Sequence, residues 1–214
     1  MVQGFVRKVT AHTPMDWTVG GDNQVHKSKP ASSTVNRPYR LYHFLSDVDR
    51  ILEVHQDPWP IMNGVLPLVR RLVGQENWLD AAYLQPDPEG PWAVYTLFDT
   101  PGYALTVQTV VWSPGQSFPP HNHAGWGIVA ILSGIEENTL WQRTDSSSGE
   151  GPAHLVTDKH LQFQTGDIVA FDSQVIHSVR VPDNTPTATF NIYGPAELDA
   201  RLEYDLDDRT AHLF

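Results

Sequence analysis

Between Tyr39 and Val73 apolar residues recur every three or four positions. Leu41, Phe44, Leu45, Val48, Ile51 and Leu52 form one stripe, and Val65, Leu66, Leu68, Val69, Leu72 and Val73 form a second. The DPWP stretch at Asp57–Pro60 interrupts the period, so two helices are expected within residues 40–74. The second should stop at Gly74, with Arg70 and Arg71 in its last turn, where the helix dipole favours cations. After Trp92 the pattern becomes that of strands: AVYTLF, YALTVQTVVW, GIVAIL, NTLWQR, HLVT, LQFQ, DIVAF, HSVRV and TATFNIY, each bounded by Gly, Pro, Asp or Ser. About nine short strands at this spacing predict an all-β sandwich or barrel over roughly residues 92–194. Residues 1–39 show no sustained period and read as an irregular N-terminal extension. Thr144–Pro152 reads as a surface hairpin loop, and residues 195–214 as an acidic tail with a short helix and a terminal strand.

Composition narrows the function more than the fold. A chain of 214 residues suits one domain, here residues 40–214, and 17 prolines with 15 glycines agree with many turns and short strands. A formal net charge of -11 opposes binding to a nucleic-acid backbone or an anionic membrane surface, so a small-molecule partner is expected. No window approaches the roughly 20 apolar residues of a membrane span, and MVQGFVRKVT lacks the apolar stretch of a secretory signal. A cytoplasmic, soluble protein is the expectation. With no cysteine, disulfides, thiolate nucleophiles and Cys-ligated metals are excluded, and any metal must sit on nitrogen and oxygen.

Candidate chemistry lies in the histidines. His121 and His123 follow a Pro-Pro turn in SPGQSFPPHNHAGWGIVAILSG, and in a strand positions i and i+2 face the same way, so both imidazoles can enter a barrel together. Burying two imidazoles is costly unless something uses their nitrogens. A third, His177, opens the strand that follows the Gly166-Asp167 turn and DIVAF. Three imidazoles from two strands would hold one divalent ion with open positions opposite. The remaining histidines (His12, His26, His43, His55, His154, His160 and His212) have no paired context and read as surface or satisfied polar residues.

The spacing Gly115, His121-x-His123, Gly134, then Gly166-Asp167 and His177 resembles the two motifs of the cupin superfamily, whose fold is a double-stranded β-helix, or jelly-roll, barrel. Where that superfamily usually places a Glu ligand, this chain has Trp126 and Gly127. A set of three His without the Glu resembles the cysteine dioxygenase superfamily, and within it the bacterial 3-mercaptopropionate dioxygenase type. Tyr95–Asp99, Phe190–Gly194 and the tail ARLEYDLDDRTAHLF add weaker likenesses. The resemblance implies a mainly β cupin barrel with N-terminal helices, iron(II) on His121, His123 and His177, and an oxidoreductase that adds dioxygen to a small thiol to give a sulfinate.

Departures from that family fall on the substrate side. Its early-strand Arg or Gln, which receives the substrate carboxylate, aligns with Tyr95, and its Ser-His-Tyr relay becomes Thr189, Asn191 and Tyr193, of which Tyr193 alone keeps a catalytic role. Its Tyr–Cys crosslink is excluded by the absence of cysteine. A pocket walled by Tyr95, Trp126, Trp141, Phe171 and Tyr193 is expected, with Gly127 leaving room for substrate and Arg143 or Arg180 able to supply a charge. Three neutral imidazoles leave the dipositive charge uncompensated, which suits a thiolate. Two alternatives remain open: the same metal site acting on an enolate or diketone-like substrate, and a non-catalytic metal- or ligand-binding barrel. The sequence leaves the oligomeric state open.

Overall fold

The computed structural model describes residues 12–30, 38–103 and 105–213. Helix α1 (Leu41–Val54) and helix α2 (Pro58–Val73) lie within the expected span, the second opening on a proline, whose missing N–H has no partner to lose in a first turn. Their buried residues, Phe44 and Val48 on α1 and Ile61, Met62, Val65, Val69 and Leu72 on α2, pack on the outer face of a sheet through Ile128, Ala130, Ile168, Ala170, Phe190 and Ile192. Phe190 is fully buried and meets Phe44 and Trp78 edge-on. No helix among the described residues is long and apolar enough to cross a membrane.

The barrel is built from β3 (Trp92–Asp99), β4 (Thr106–Trp112), β5 (Ser117–His121), β6 (Gly127–Ser133), β7 (Ile135–Arg143), β9 (Leu155–Gln164), β10 (Ile168–Phe171), β11 (Ile176–Arg180) and β12 (Thr187–Tyr193). Two-residue β8 (Gly151–Pro152) lies between β7 and β9. One sheet contains the order β10-β6-β12-β4-β3, and the facing one β5-β11-β7-β9. Alternate strands from β4 to β12 thus pair across two facing sheets, which is the jelly-roll order the sequence leads one to expect. Odd-numbered residues of β6 and β10 (Val129, Ile131, Val169, Phe171) point inward, where they meet Leu140 and Phe163, while their even-numbered neighbours face the helices.

Several elements differ from expectation for identifiable reasons. The described part of the extension is not irregular: β1 (Asp16–Val19) pairs in parallel with β10, and β2 (Val25–Ser28) pairs with β1. Residues 1–11 and 31–37 of that extension lie outside the described set. HLVT and LQFQ join in β9, which has one register shift opposite Leu140 and Trp141. The Pro-Pro segment is strand, not turn; Pro119 and Pro120 donate no ladder bonds, and the β5–β11 register slips there, between the pairs His177–His121 and Val179–Phe118. The tail forms a hairpin, β13 (Leu202–Asp205) with β14 (Thr210–Leu213), that continues the second sheet. Of the motif glycines, Gly134 has φ of 84°, and a Cβ there would stand 2.5 Å from the Pro186 carbonyl oxygen.

Candidate metal centre

Strand β5 ends on His121, and the chain then turns through Asn122, His123 and Ala124. His123 therefore lies just beyond the strand, not within it as the i, i+2 argument supposes, yet both rings still converge. Asn122 faces the other way and is clamped by the tail. Its Oδ1 accepts from Leu202 N at 2.7 Å, its Nδ2 donates to the Ala200 carbonyl at 3.1 Å, and its own N–H donates to Leu202 O at 3.0 Å. Behind it, Gly125 lies so close to Pro195 that a Cβ would stand 2.5 Å from that carbonyl oxygen. The tail thus fixes the ligand-bearing turn from outside.

His177 stands opposite His121 across the β5–β11 ladder, and one ring nitrogen from each of His121, His123 and His177 lies within 4.8 Å of the other two. Hydrogen bonds set the tautomers. His177 Nδ1–H donates to Asn138 Oδ1 at 2.6 Å, and His121 Nδ1–H to the Pro119 carbonyl at 3.0 Å, leaving each Nε2 as a lone pair. His123 Nε2 stands 3.1 Å from His177 Nε2. Two ligand atoms about 2.1 Å from one ion and at right angles would lie about 3.0 Å apart. The residues present therefore fit a divalent ion on three nitrogens.

Burial keeps these rings neutral. It lowers His121 to about 4, although the Pro119 hydrogen bond favours the protonated ring, and the Arg201 charge lowers it further. Burial also holds His123 and His177 well below the ordinary range, helped by the neighbouring rings and, for His123, by Arg201. Protons thus compete with a metal only when the pH falls toward 4. Cobalt(II) affinity in equilibrium dialysis should stay level from about pH 7.5 to pH 5 and fall below that; a loss already between pH 7 and 6 would contradict the buried-triad geometry. In the metal-free chain the same shifts act on folding. Unfolded His titrates near its ordinary value of 6.5, so stability is full above that value and is lost as the pH falls below it toward 4.

A cavity of about 840 Å³ opens from the three rings. Tyr193, Trp126, Thr189 and Asn191 line it. The Tyr193 ring meets His123 edge-on at 4.9 Å, and Gly127 makes room for both, since a Cβ there would lie 3.0 Å from His123 Nδ1 and 3.1 Å from the Tyr193 ring. That room serves protein rings instead of the substrate for which it is expected from sequence. Burial, then the charge of Glu136, raises the Tyr193 phenol, which stays protonated across the neutral range. Asn191 Nδ2 donates to Thr189 Oγ1 at 2.9 Å, but among the described residues no hydrogen bond links Asn191 to Tyr193, so the expected relay is joined only in its first half.

Two expected substrate residues lie elsewhere. Trp92 and Val94 take the cavity side of β3, so alternation turns Tyr95 outward, where its hydroxyl donates to the Gln85 carbonyl at 2.9 Å and its ring meets Tyr83. Arg143 donates to both Asp145 oxygens at 3.0 Å and to the carbonyls of Gly149 and Pro152, in the β7–β9 loop and away from the cavity. Trp141 also points outward and donates to Ser178 Oγ, Arg180 pairs with Glu137 and Asp183 at the surface, and Phe171 packs on His177. In their place the cavity receives Trp92, Trp112, Phe118, Gln108, Glu136 and Arg201. Alternation in IEENTLW offers the signal for Glu136, since Glu136, Asn138 and Leu140 are all buried on one face. Arg201 has no such signal, because it sits on the tail beyond the last barrel strand.

No family model matches the sequence. Solved structures similar to this chain include a cupin superfamily protein from Desulfitobacterium hafniense, 16% identical, with a TM-score of 0.42 and covering 58% of this chain and 95% of that one. A Cupin 2 conserved barrel domain protein from Salinispora arenicola is 21% identical, with a TM-score of 0.38 over 55% of this chain and 86% of that one. Recombinant oxalate oxidase in complex with glycolate is 17% identical, with a TM-score of 0.41 over 57% and 62%. Two of these three are described as cupin proteins; at these identities and TM-scores the likenesses carry no argument about this chain.

Proposed function

We propose that this chain is a mononuclear non-haem iron(II) dioxygenase of the thiol dioxygenase type, converting a small thiol and dioxygen to the sulfinic acid. The observation that carries this reading is the all-nitrogen triad facing a cavity that Arg201 also lines. Bound iron(II) would supply open positions for a thiolate and for dioxygen and would lower the thiol pKa. Three neutral imidazoles add no negative charge to the ion, so the site favours an anionic ligand more than one containing a carboxylate would. Arg201 favours the same sign of charge from the protein side. Tyr193 presents a protonated hydroxyl in the cavity and donates a hydrogen bond to the sulfur or oxygen that gains charge. Neutral His121, His123 and His177 need lose no proton to bind the ion.

Oxygen uptake by the iron-loaded protein, screened over small thiols and 1,3-diketones, tests this reading. The expected result is uptake only with a thiol and a product heavier by two oxygen atoms. Tyr193→Phe should lower kcat/KM about tenfold while leaving iron content unchanged. Uptake with a diketone and a cleaved carbon chain would overturn the thiol assignment, and no uptake with any candidate would favour a binding role.

A further inference from the structure

Below the three histidines the barrel does not close into an apolar plug. Strand β7 turns Leu140, Asn138 and Glu136 inward in succession, and Glu136 lines the cavity although the residue is only 4% exposed. Leu140 stands opposite His177, so the backbone of Glu136, four residues away, lies roughly 13 Å farther along the strand, while its carboxyl reaches back toward His177 through Asn138. Its Oε1 accepts from Asn138 Nδ2 at 2.9 Å, and among the described residues its second oxygen has no hydrogen-bond donor. Gln108 also lines this space, and its side-chain amide likewise has no hydrogen-bond partner among the described residues. The same cavity is walled by Trp92, Trp112, Phe118 and Val179, with Trp92 5.1 Å from Trp112 and 5.5 Å from Phe118 between ring centroids, and Phe118 in turn meets the His121 ring edge-on at 4.9 Å. A buried carboxyl costs stability unless a partner compensates it, and Asn138 satisfies one oxygen only.

We propose that Glu136, in a cavity walled by the aromatic rings of Trp92, Trp112 and Phe118, forms a cation subsite that receives the ammonium group of a substrate whose other end reaches the histidines. Aromatic faces beside a carboxylate form the usual surroundings of an organic ammonium. The acidic chain, at a net charge of -11, attracts cations from solution. Burial raises the empty carboxyl to about 7, and an arriving ammonium would draw it back to the ionised form, so binding has a gain that an uncharged end group lacks. The inference rests on the proposed metal-centred reaction for the reactive end of the substrate, and names its class as an amine joined to a thiol by a spacer of several carbons. It also separates the roles of the two charged groups in the cavity. Arg201, whose charge acts on His121 and His123, favours the thiolate, while Glu136 takes the ammonium.

Binding of n-hexylamine, 1-hexanol and hexanoate to the full chain, with and without metal, is followed by tryptophan fluorescence, since Trp92 and Trp112 line the cavity. The amine should bind at least about tenfold more tightly than the alcohol or the acid, and Glu136→Gln should erase that preference without changing metal content. Equal affinity for amine and alcohol in the unaltered protein would overturn the proposal, and that comparison does not depend on the variant folding. An amine preference that survives in Glu136→Gln would overturn it too, by placing the amine on the metal or elsewhere. So would a Glu136→Gln protein that loses metal but keeps its amine preference, which would reduce Glu136 to a prop for Asn138. Thiol oxidation is measured separately: a protein that binds the amine and oxidises no thiol defeats the proposed reaction and leaves the subsite standing.

Discussion

Alanine at any one of His121, His123 or His177 is expected to reduce bound metal from about one ion per chain to a small fraction of that after dialysis. The reason is geometric. The other two nitrogens remain, but two imidazoles with no carboxylate in the ligand group hold an ion far more weakly than three on a common face. The fold should survive the change. Each of these rings costs desolvation and is held neutral against its ordinary pKa, so the metal-free barrel loses little by giving one up. Unfolding curves of the metal-free variants should accordingly stay close to that of the parent, while metal analysis separates them sharply. Asn138→Leu provides the intermediate case. It removes the acceptor that fixes the His177 tautomer and should weaken metal binding by about 10–100-fold instead of abolishing it. Full occupancy in all three alanine variants would remove the basis for the metal centre.

The legible parts of this molecule are those in which a local period reports a tertiary face. The apolar stripes of Leu41–Leu52 and Val65–Val73 give two helices because each stripe is buried on the same sheet. His121 and His123 are legible because a pair of imidazoles has little structural use, and His177 because it opens a strand after a Gly-Asp turn. The substrate side is less legible because an alignment without gaps fixes a position but not the phase of a strand. At Tyr95 the phase decides the matter: Trp92 and Val94 face the cavity and Tyr95 the outside. Aromatic character alone gives equal weight to Trp141 and Phe171, although one hydrogen-bonds outward to Ser178 and the other packs on His177. Prolines mislead in the opposite direction. Pro119 and Pro120 read as a turn by composition, yet an irregular ladder leaves them a place in β5. Arg201 depends on where the tail crosses the barrel mouth, which no local pattern encodes.

That tail residue has the largest expected effect on substrate. Tyr95 stands where the resembled family has its early-strand cation, and Arg143 and Arg180 point elsewhere, whereas Arg201 lines the cavity and its charge lowers the pKa of His121, His123 and Tyr193. A guanidinium beside neutral imidazoles stabilises an anionic ligand by an amount in the range of a charged hydrogen bond, about 1.5–3 kcal/mol. Arg201→Met should therefore raise the Kd for a thiolate or for a competing carboxylate such as 3-mercaptopropionate by about 10–100-fold, with Arg201→Lys recovering part of the loss. Metal content should stay level or rise slightly, because removing a positive charge near the triad favours a dication. That opposite response distinguishes a role in anion binding from a role in holding the ligand turn in place, for which metal and anion affinity would fall together. Tyr95→Arg, by contrast, should leave anion affinity unchanged, since its side chain starts on the far face of β3. Parallel titrations of the Arg201 and Tyr95 variants with 3-mercaptopropionate under anaerobic conditions decide between the two positions: an unaffected Arg201→Met, or a gain in Tyr95→Arg, would return the anion contact to the early strand.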